Sequence, residues 1–182
     1  MKKKFLLSAV MLCFLIAGSV KAQVQGNVIK FNIFSPIVKT INFSYEKTVS
    51  ATSSAQLGVA ITSIKITDTK FSGFQLTPEY RFYLSETEAP EGFFAAPFVR
   101  YSSFSLTNEF TSSEADMTTF GGGLILGKQW LLGGNDNISM DLFIGPNYAS
   151  SSVTVKSGAN DFSLGGFDGF GIRWGLNFGF AF

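Results

Sequence analysis

The chain has 182 residues, a formal net charge of +1, one cysteine and no histidine. Catalytic nucleophiles are usually activated by histidine, and transition metals are usually held by histidine or cysteine, so we expect neither an enzyme nor a metal site. A charge this close to zero gives no electrostatic support for binding nucleic acid. The composition therefore predicts a protein with no cofactor and no nucleic-acid partner.

Residues 1–22 have the pattern of a cleavable signal peptide. Lysines follow the first methionine, and 5–18 form an apolar run that is shorter than the roughly 20 residues a membrane-spanning helix needs. Small residues next to a lysine predict cleavage between Ala22 and Gln23. We therefore expect the chain to divide into a signal peptide and a mature domain, 23–182.

Removal of the signal peptide changes the charge and removes the cysteine. The mature chain 23–182 holds 10 basic and 13 acidic residues, a net charge of −3, because all four charged residues of 1–22 are lysines. This balance further disfavours nucleic-acid binding. The alternative fate of the N-terminus is lipidation at Cys13, but small residues do not precede that cysteine.

Alternation of apolar and polar residues recurs about every 20 residues along the mature chain and predicts β-strands. Turn-forming residues separate these segments, and helical periodicity is absent. The pattern predicts an all-β fold, an eight-stranded antiparallel up-and-down transmembrane β-barrel, with ten strands as the alternative. The predicted strands are 28–35, 39–49, 54–65, 70–84, 93–106, 117–130, 137–150 and 168–182.

The final strand has the clearest transmembrane pattern. From 170 to 182 its even-numbered residues are large and apolar, and its odd-numbered residues are small or polar. A strand between lipid and a polar interior has this alternation. Its aromatic end resembles the signal that outer-membrane barrels present to the barrel assembly machinery. The residues of this predicted assembly signal are Trp174, Leu176, Phe178, Phe180 and Phe182.

The arginines decide which face of the predicted barrel meets lipid. Arginine on the lipid face near the bilayer midplane costs ~2–4 kcal/mol, so the face with Arg81, Arg100 and Arg173 is predicted to point inwards. Outer-membrane lipid is then the partner of the opposite, apolar face. The alternative is a soluble, lipocalin-like barrel of reversed sidedness that binds a ligand, although its exterior would be rich in phenylalanine.

Six charged residues are predicted to face the interior. Three acids and three arginines balance, and eight strands leave room inside only for side chains. We interpret the six as a structural cluster that neutralises and closes the lumen. The alternatives are a path for a small solute or a proton, and a catalytic carboxylate pair. The residues are Glu46, Glu79, Arg81, Arg100, Asp141 and Arg173.

The connections are assigned to two sides of the membrane, because both ends of an even-stranded barrel lie in the periplasm. The predicted periplasmic turns are 50–54, 85–92 and 132–136. The predicted outer loops are 35–39, 66–71, 107–116 and 151–167. The last two are long enough to contact a partner at the cell surface, but their composition indicates no particular ligand.

Three segments, 44–47, 77–84 and 92–101, resemble one protein family. They are similar to a family of small outer-membrane β-barrel proteins from Bacteroidota to which no function is assigned. Cleavage before Gln23 also resembles the processing of exported proteins in these bacteria. The resemblance implies an eight-stranded barrel, and it implies no activity and no catalytic residue.

These observations together predict a monomeric protein of the cell outer membrane. We expect a non-enzymatic role, in envelope integrity or in surface contact through the extracellular loops. The first alternative is a narrow channel or transporter for a small solute or a proton. A lipid-modifying enzyme and the soluble, lipocalin-like ligand binder are the others.

Overall fold

The computed structural model describes residues 26–66, 69–108, 113–158 and 168–182. They form a closed barrel of eight antiparallel strands, in which each strand pairs with the next and the last pairs with the first. The predicted all-β antiparallel fold is confirmed, and eight strands, not ten, make the ring. The strands are β1 (Asn27–Asn32), β2 (Thr40–Ser50), β3 (Ser53–Ile66), β4 (Thr69–Tyr83), β5 (Gly92–Asn108), β6 (Ser113–Leu132), β7 (Ile138–Ser157) and β8 (Gly169–Ala181).

The first and last strands close the ring at one end of the barrel. Asn27 and Phe182 exchange two backbone hydrogen bonds, of 3.1 and 2.9 Å. We call this the terminal end and the opposite end the loop end. The predicted signal peptide, with Ala22 and Gln23, lies outside the described residues. Among the residues that are described, no helix is long and apolar enough to cross a membrane.

β1 is shorter than predicted: it ends at Asn32, whereas the predicted strand continues to residue 35. The side-chain oxygen of Asn32 accepts hydrogen bonds of 3.1 Å from the backbone N–H groups of Phe34 and Ser35. An asparagine that bonds to the following backbone in this way turns the chain. A 3₁₀ turn follows over Ser35–Val38, and Lys39 ends it with a positive φ of 50°.

Three strands extend at least two residues further towards the loop end than predicted. β5 ends at Asn108, β6 begins at Ser113 and β7 ends at Ser157. Backbone pairing between β5 and β6 continues without interruption to Asn108 and Ser113. The pairing continues because inward-facing residues of these strands remain apolar up to the loop end, so the alternation that supports a packed strand persists.

Three predicted outer loops were therefore wrong at their edges. Parts of 66–71, 107–116 and 151–167 belong to strands β3 to β7, so the connections are shorter than expected. Within these predictions, 67–68, 109–112 and 159–167 lie outside the described residues.

Outward-facing side chains form an apolar band around the barrel. At the edge of the band towards the loop end, outward-facing apolar residues of neighbouring strands pair with each other. The pairs are Ile61 with Phe74, Tyr101 with Phe120, and Tyr148 with Phe170. Ring contacts reinforce both edges: Phe74–Tyr101 and Tyr148–Phe170 lie near the loop end, and Tyr80–Phe82 and Phe180–Phe182 near the terminal end. The predicted apolar outer face is confirmed in this zone, whereas the inner face combines polar residues with a buried apolar cluster that includes Phe94, Phe98, Ile125 and Phe143.

Beyond the band, β3 to β7 continue as a five-stranded sheet with reversed sidedness. We call this sheet the extension: residues 63–66, 69–72, 103–108, 113–118 and 150–157. Its outward-facing side chains with described burial are serine, threonine, lysine, aspartate and glutamate. Its inner face packs into an apolar cluster of Phe71, Phe104, Leu106, Ala115 and Met117, with Ile64, Val153 and Val155 against it.

The outer face of the extension carries an ion pair. Lys156 and Asp116 lie 2.8 Å apart on neighbouring strands, and both side chains are about half exposed. The hydrogen bond from Lys156 holds the pKa of the Asp116 carboxyl below its ordinary value. An exposed pair of this kind adds little stability, so its main consequence is a charged, hydrated surface.

At the terminal end, the connection between β4 and β5 folds across the mouth of the barrel. Ala89 and Pro90 are buried there, and the Ala89 N–H donates a 2.7 Å hydrogen bond to the carbonyl of Ala51. Ala89 packs in a buried cluster with Tyr83 and Phe94. The predicted turn at 85–92 is thus present, and its side chains fill this end of the lumen.

Candidate functional site

Two buried cations organise the polar interior, Lys30 of β1 and Arg81 of β4. The Lys30 ammonium group forms salt bridges of 2.5 Å to Glu46 and 2.6 Å to Asp141. It also donates a 2.7 Å hydrogen bond to the side-chain oxygen of Gln129. An ammonium group has three protons, and these three contacts give it one oxygen neighbour for each proton.

Arg81 connects the same acceptors to a third carboxylate. Its Nε donates to Glu79 at 2.6 Å, and its Nη1 donates to Asp141 at 2.9 Å and to Gln129 at 2.8 Å. The second oxygen of Asp141 accepts a 2.8 Å hydrogen bond from Asn177. Asp141 therefore joins β1, β4, β7 and β8 across the lumen.

Glu46 is fully buried and is held by three different elements. In addition to Lys30, its carboxylate accepts a 2.6 Å hydrogen bond from the Tyr83 hydroxyl and a short one from the Ser54 hydroxyl. A buried carboxylate is tolerated when cations and hydrogen bonds compensate its desolvation, and both are present here. The two oxygens of Glu46 are thus occupied by protein groups.

Glu79 extends the network towards the loop end. One oxygen accepts from Arg81 and from the Gln56 amide at 3.2 Å, and the other forms a 2.9 Å salt bridge with Arg173 of β8. The Arg173 guanidinium also lies over the rings of Phe98 and Phe143, at 4.4 and 4.9 Å from their centroids. Aromatic faces inside the lumen therefore stabilise cations there.

Arg100 differs from the other interior cations. Its described contacts are a weak hydrogen bond of 3.4 Å from its Nε to the Thr77 hydroxyl and the ring of Phe98, whose centre lies 5.7 Å away. Among the described residues, none of the three interior carboxylates lies within ion-pairing distance of it, because Glu79 is engaged by Arg81 and Arg173. Four cations and three carboxylates face the described interior, so the balance leaves one positive charge in excess.

All six predicted interior charges face inwards. Five of them, with Arg100 apart, are joined by direct contacts into one network. The prediction of balanced charge was wrong, because it omitted Lys30, which lies at the centre of the network. The five joined residues are Glu46, Glu79, Arg81, Asp141 and Arg173.

Sequence reasoning could have found Lys30. It alternates with apolar residues in β1 and lies at an even position between the outward-facing Ile29 and Phe31, beside the inward-facing Val28 and Asn32. The roles of Tyr83 and Gln129 had no comparable signal, because their importance depends on which strands meet across the lumen.

The network offers little to a reacting substrate. A general acid or base must reach the substrate, whereas all three interior carboxylates are occupied by protein donors and none lines the cavity described below. In the described parts of the chain, no group of three or more potential metal ligands is present. The arrangement is suited to holding strands together and to filling the lumen.

The residues of the predicted assembly signal lie along β8, except Phe182, which follows its last residue. Trp174, Phe178, Phe180 and Phe182 are exposed on the outer face, and Leu176 is half-buried on the same face. β8 pairs with β7 on one side and with β1 on the other, so it completes the ring. The role of these residues in assembly stays a prediction.

Comparison with protein families gives a match. A search of curated proteins and a search of solved structures each found none. The family model described as "Protein of unknown function (DUF3575)" matches residues 10–157, from before β1 to the end of β7. The predicted membership of a family without an assigned function is confirmed, whereas its restriction to Bacteroidota stays a prediction. Because the match covers more than half of the chain, the protein belongs to the DUF3575 family.

Proposed function

We propose that this protein spans the bacterial outer membrane as a closed β-barrel and serves a non-enzymatic role at the cell surface. The observation that carries the proposal is the change of sidedness between the apolar band and the extension. A strand surrounded by lipid needs apolar residues outside, and a sheet surrounded by water needs them inside. Along the same strands, the band has its apolar residues outside and the extension has them inside.

The height of the apolar band supports a membrane location. From Ile138 to Tyr148, β7 rises about 25 Å, given ~3.3 Å per residue and a tilt of ~40°. This equals the height of about 25 Å that is typical of the lipid-facing band of outer-membrane barrels. The aromatic contacts at both edges of the band fit the girdles that such barrels place at the two membrane surfaces.

Of the two proposed roles, surface contact and envelope integrity, the extension favours surface contact. Its apolar cluster and continuous strand pairing give it a packed core of its own. It would therefore project from the membrane as an ordered sheet with a polar, charged exterior. A sheet of this kind can present a surface to a partner without any chemistry in the lumen.

The interior network and the filled terminal mouth weigh against a channel. Lys30, Arg81 and their acceptors meet across the lumen, and Ala89 and Pro90 are buried at the terminal end. A hydrated ion needs a continuous polar path, which these contacts interrupt. A lipid-modifying activity would need a reactive group in reach of substrate, and the interior carboxylates are occupied by protein donors.

Cysteine labelling tests the proposal, because residues 23–182 contain no cysteine. Leu142→Cys and Ser152→Cys lie on the outer face of the same strand, in the band and in the extension. A membrane-impermeant maleimide applied to intact cells should label Ser152→Cys and leave Leu142→Cys unlabelled. Denaturation in SDS should then make both react, which controls for expression.

Equal labelling of the two positions on intact cells would mean that the band is in water, and the proposal would fail. Labelling of Ser152→Cys only after the envelope is broken would put the extension on the periplasmic side. That result would contradict a role in contact at the cell surface.

A further inference from the structure

The loop half of the barrel contains a cavity of about 420 Å³ that the network does not fill. Cavities of ~300–1,000 Å³ are the size of small-molecule sites. Arg100 and Arg173 both line it. The rest of its inner wall includes the polar residues Asn42, Ser44, Gln56 and Thr77.

This cavity adjoins a gap in the strand pairing at the side of the barrel. β1 stops at Asn32, where it pairs with Asn177 of β8, and the last backbone bond between these segments runs from Ile33 to Leu176. Further towards the loop end, β8 has no described β1 partner. The gap lies between the first half of β8 and the 3₁₀ turn, and we call it the side opening.

The rim of the side opening is apolar. Its residues are Phe34, Ile37, Val38, Ile172 and Trp174. Ile37 is 77% exposed, and the rings of Phe34 and Trp174 are in contact at 5.4 Å. Trp174 and Ile172 also belong to the outer face of β8, so the rim is continuous with the apolar band.

Two polar groups of the wall have capacity for further hydrogen bonds. Arg100 is half-buried, and Thr77 is its only described hydrogen-bond acceptor. Its guanidinium also lies 5.7 Å from the centre of the Phe98 ring, which accepts no hydrogen bond here. The side-chain oxygen of Gln56 is buried without a hydrogen-bond partner, while its amide nitrogen donates to Glu79. A donor set with a net positive charge favours an anion, and an unpaired acceptor favours a hydroxyl beside it.

We propose that the cavity binds the anionic headgroup of an amphiphile, a phosphate or a carboxylate, whose hydrocarbon chain lies across the side opening. The headgroup oxygens accept hydrogen bonds from Arg100, and a headgroup hydroxyl donates to Gln56. The chain covers the apolar rim and continues along the band. The source of the ligand, outer-membrane lipid, rests on the proposed membrane location.

Native mass spectrometry of the purified mature protein in a neutral detergent tests the inference with dodecyl phosphate as the probe. We expect one bound probe per chain. Arg100→Gln should weaken binding about tenfold or more, because a charge-assisted hydrogen bond is lost. Lys70→Gln, which removes one positive charge from the outer face of the extension, is the matched control and should bind as the original chain does.

A second variant tests the cavity without changing charge. A Cβ at Gly58 would lie 3.6 Å from the nearest atoms of Thr77, an ordinary contact, so the wall accepts a side chain there. Gly58→Leu should fill part of the cavity and weaken binding. Each variant is also run on a gel in SDS with and without boiling, so that a folded barrel without binding is distinguished from a failure of the barrel itself.

Equal binding by Arg100→Gln and Lys70→Gln would overturn the inference, as would unchanged binding by Gly58→Leu. Inorganic phosphate is the second probe. If it binds as tightly as dodecyl phosphate, the rim contributes nothing and the site takes a free anion instead of an amphiphile. Binding is measured even if a sample shows no gel shift, so the two proposals are judged separately.

Discussion

The ammonium group of Lys30 has as many oxygen neighbours as it has protons, and two of those neighbours are carboxylates. Moving a charge from water into a protein interior costs several kcal/mol, which attraction between close partners offsets only when their geometry is good. Removing one partner leaves the others buried without compensation. Single substitutions inside the network should therefore be costly, and combined ones less so.

Lys30→Met should lower the free energy of unfolding by about 3–5 kcal/mol, because Glu46 and Asp141 lose a shared cation. Urea titration of the protein refolded in lipid vesicles, followed by tryptophan fluorescence, measures this. Lys70→Met, on the exposed outer face of the extension, is the control and should change the value by about 0.5 kcal/mol or less.

Adding Asp141→Asn to Lys30→Met should recover part of the loss, since the pair of changes removes opposite charges together. Unfolding free energies that fall equally for Lys30→Met and Lys70→Met would show that the network does not stabilise the barrel.

Individual strands combine two kinds of outer surface in this protein. In β7, Leu142 and Ile144 face outwards in the apolar band, and Ser152 and Thr154 face outwards in the extension. Side chains continue to alternate between the two faces through both zones. The outer face is apolar in the band and polar in the extension, and the inner face becomes apolar in the extension. A strand can therefore be continuous in structure although its surroundings are proposed to change from lipid to water.

Arginine substitutions on the outer face of β7 test these surroundings. Leu142→Arg should lower the free energy of unfolding in vesicles by ~2–4 kcal/mol, because the charge is placed in the middle of the band. Ser152→Arg is the matched control on the extension, where a change of about 0.5 kcal/mol or less is expected. Equal tolerance of both arginines would contradict a lipid environment for the band.

The number, order and sidedness of the strands in the band could be predicted from the sequence, because a period of two with large apolar residues on one face is a local signal. The extension could not be predicted by looking for apolar outer faces. Ala115 and Met117 alternate with Glu114 and Asp116 as clearly as band residues do, but with the apolar set inside. The predicted strand therefore began at 117 instead of Ser113.

The interior site was predictable in its residue types and not in its connections. Inward positions follow from alternation, which placed Arg81 and Asp141 correctly. Which cation meets which carboxylate depends on the stagger of strands that are far apart in sequence, such as β1 with β7. The isolation of Arg100 depends on the same geometry, because Glu79 is engaged by two other arginines.

The complete barrel is filled at the terminal end, crossed by charges in the middle and open on one side in the loop half. The buried connection with Ala89 and Pro90, the network around Lys30 and the cavity beside Arg100 follow one another along the axis. A cavity that the network separates from the terminal end can bind a ligand but cannot conduct. We therefore expect binding and contact, not transport.

The purified protein should give no steady current in a planar lipid bilayer. The interior contacts leave no continuous polar path, so only the baseline conductance is expected. A general porin in the same bilayer is the control for insertion and detection. Steady single-channel currents from the pure, folded protein would show that the network does not close the lumen.

The central claim is that the folded chain is a closed barrel embedded in the outer membrane. Gel mobility in SDS, with and without boiling, of protein taken from separated membrane fractions tests it most directly. A closed ring has no free strand edge from which to unravel, so folded barrels resist cold SDS and shift on heating. We expect a heat-dependent shift of a band found in the outer-membrane fraction. A band that does not shift, from protein found in the soluble periplasmic fraction, would contradict the claim and favour the lipocalin-like barrel.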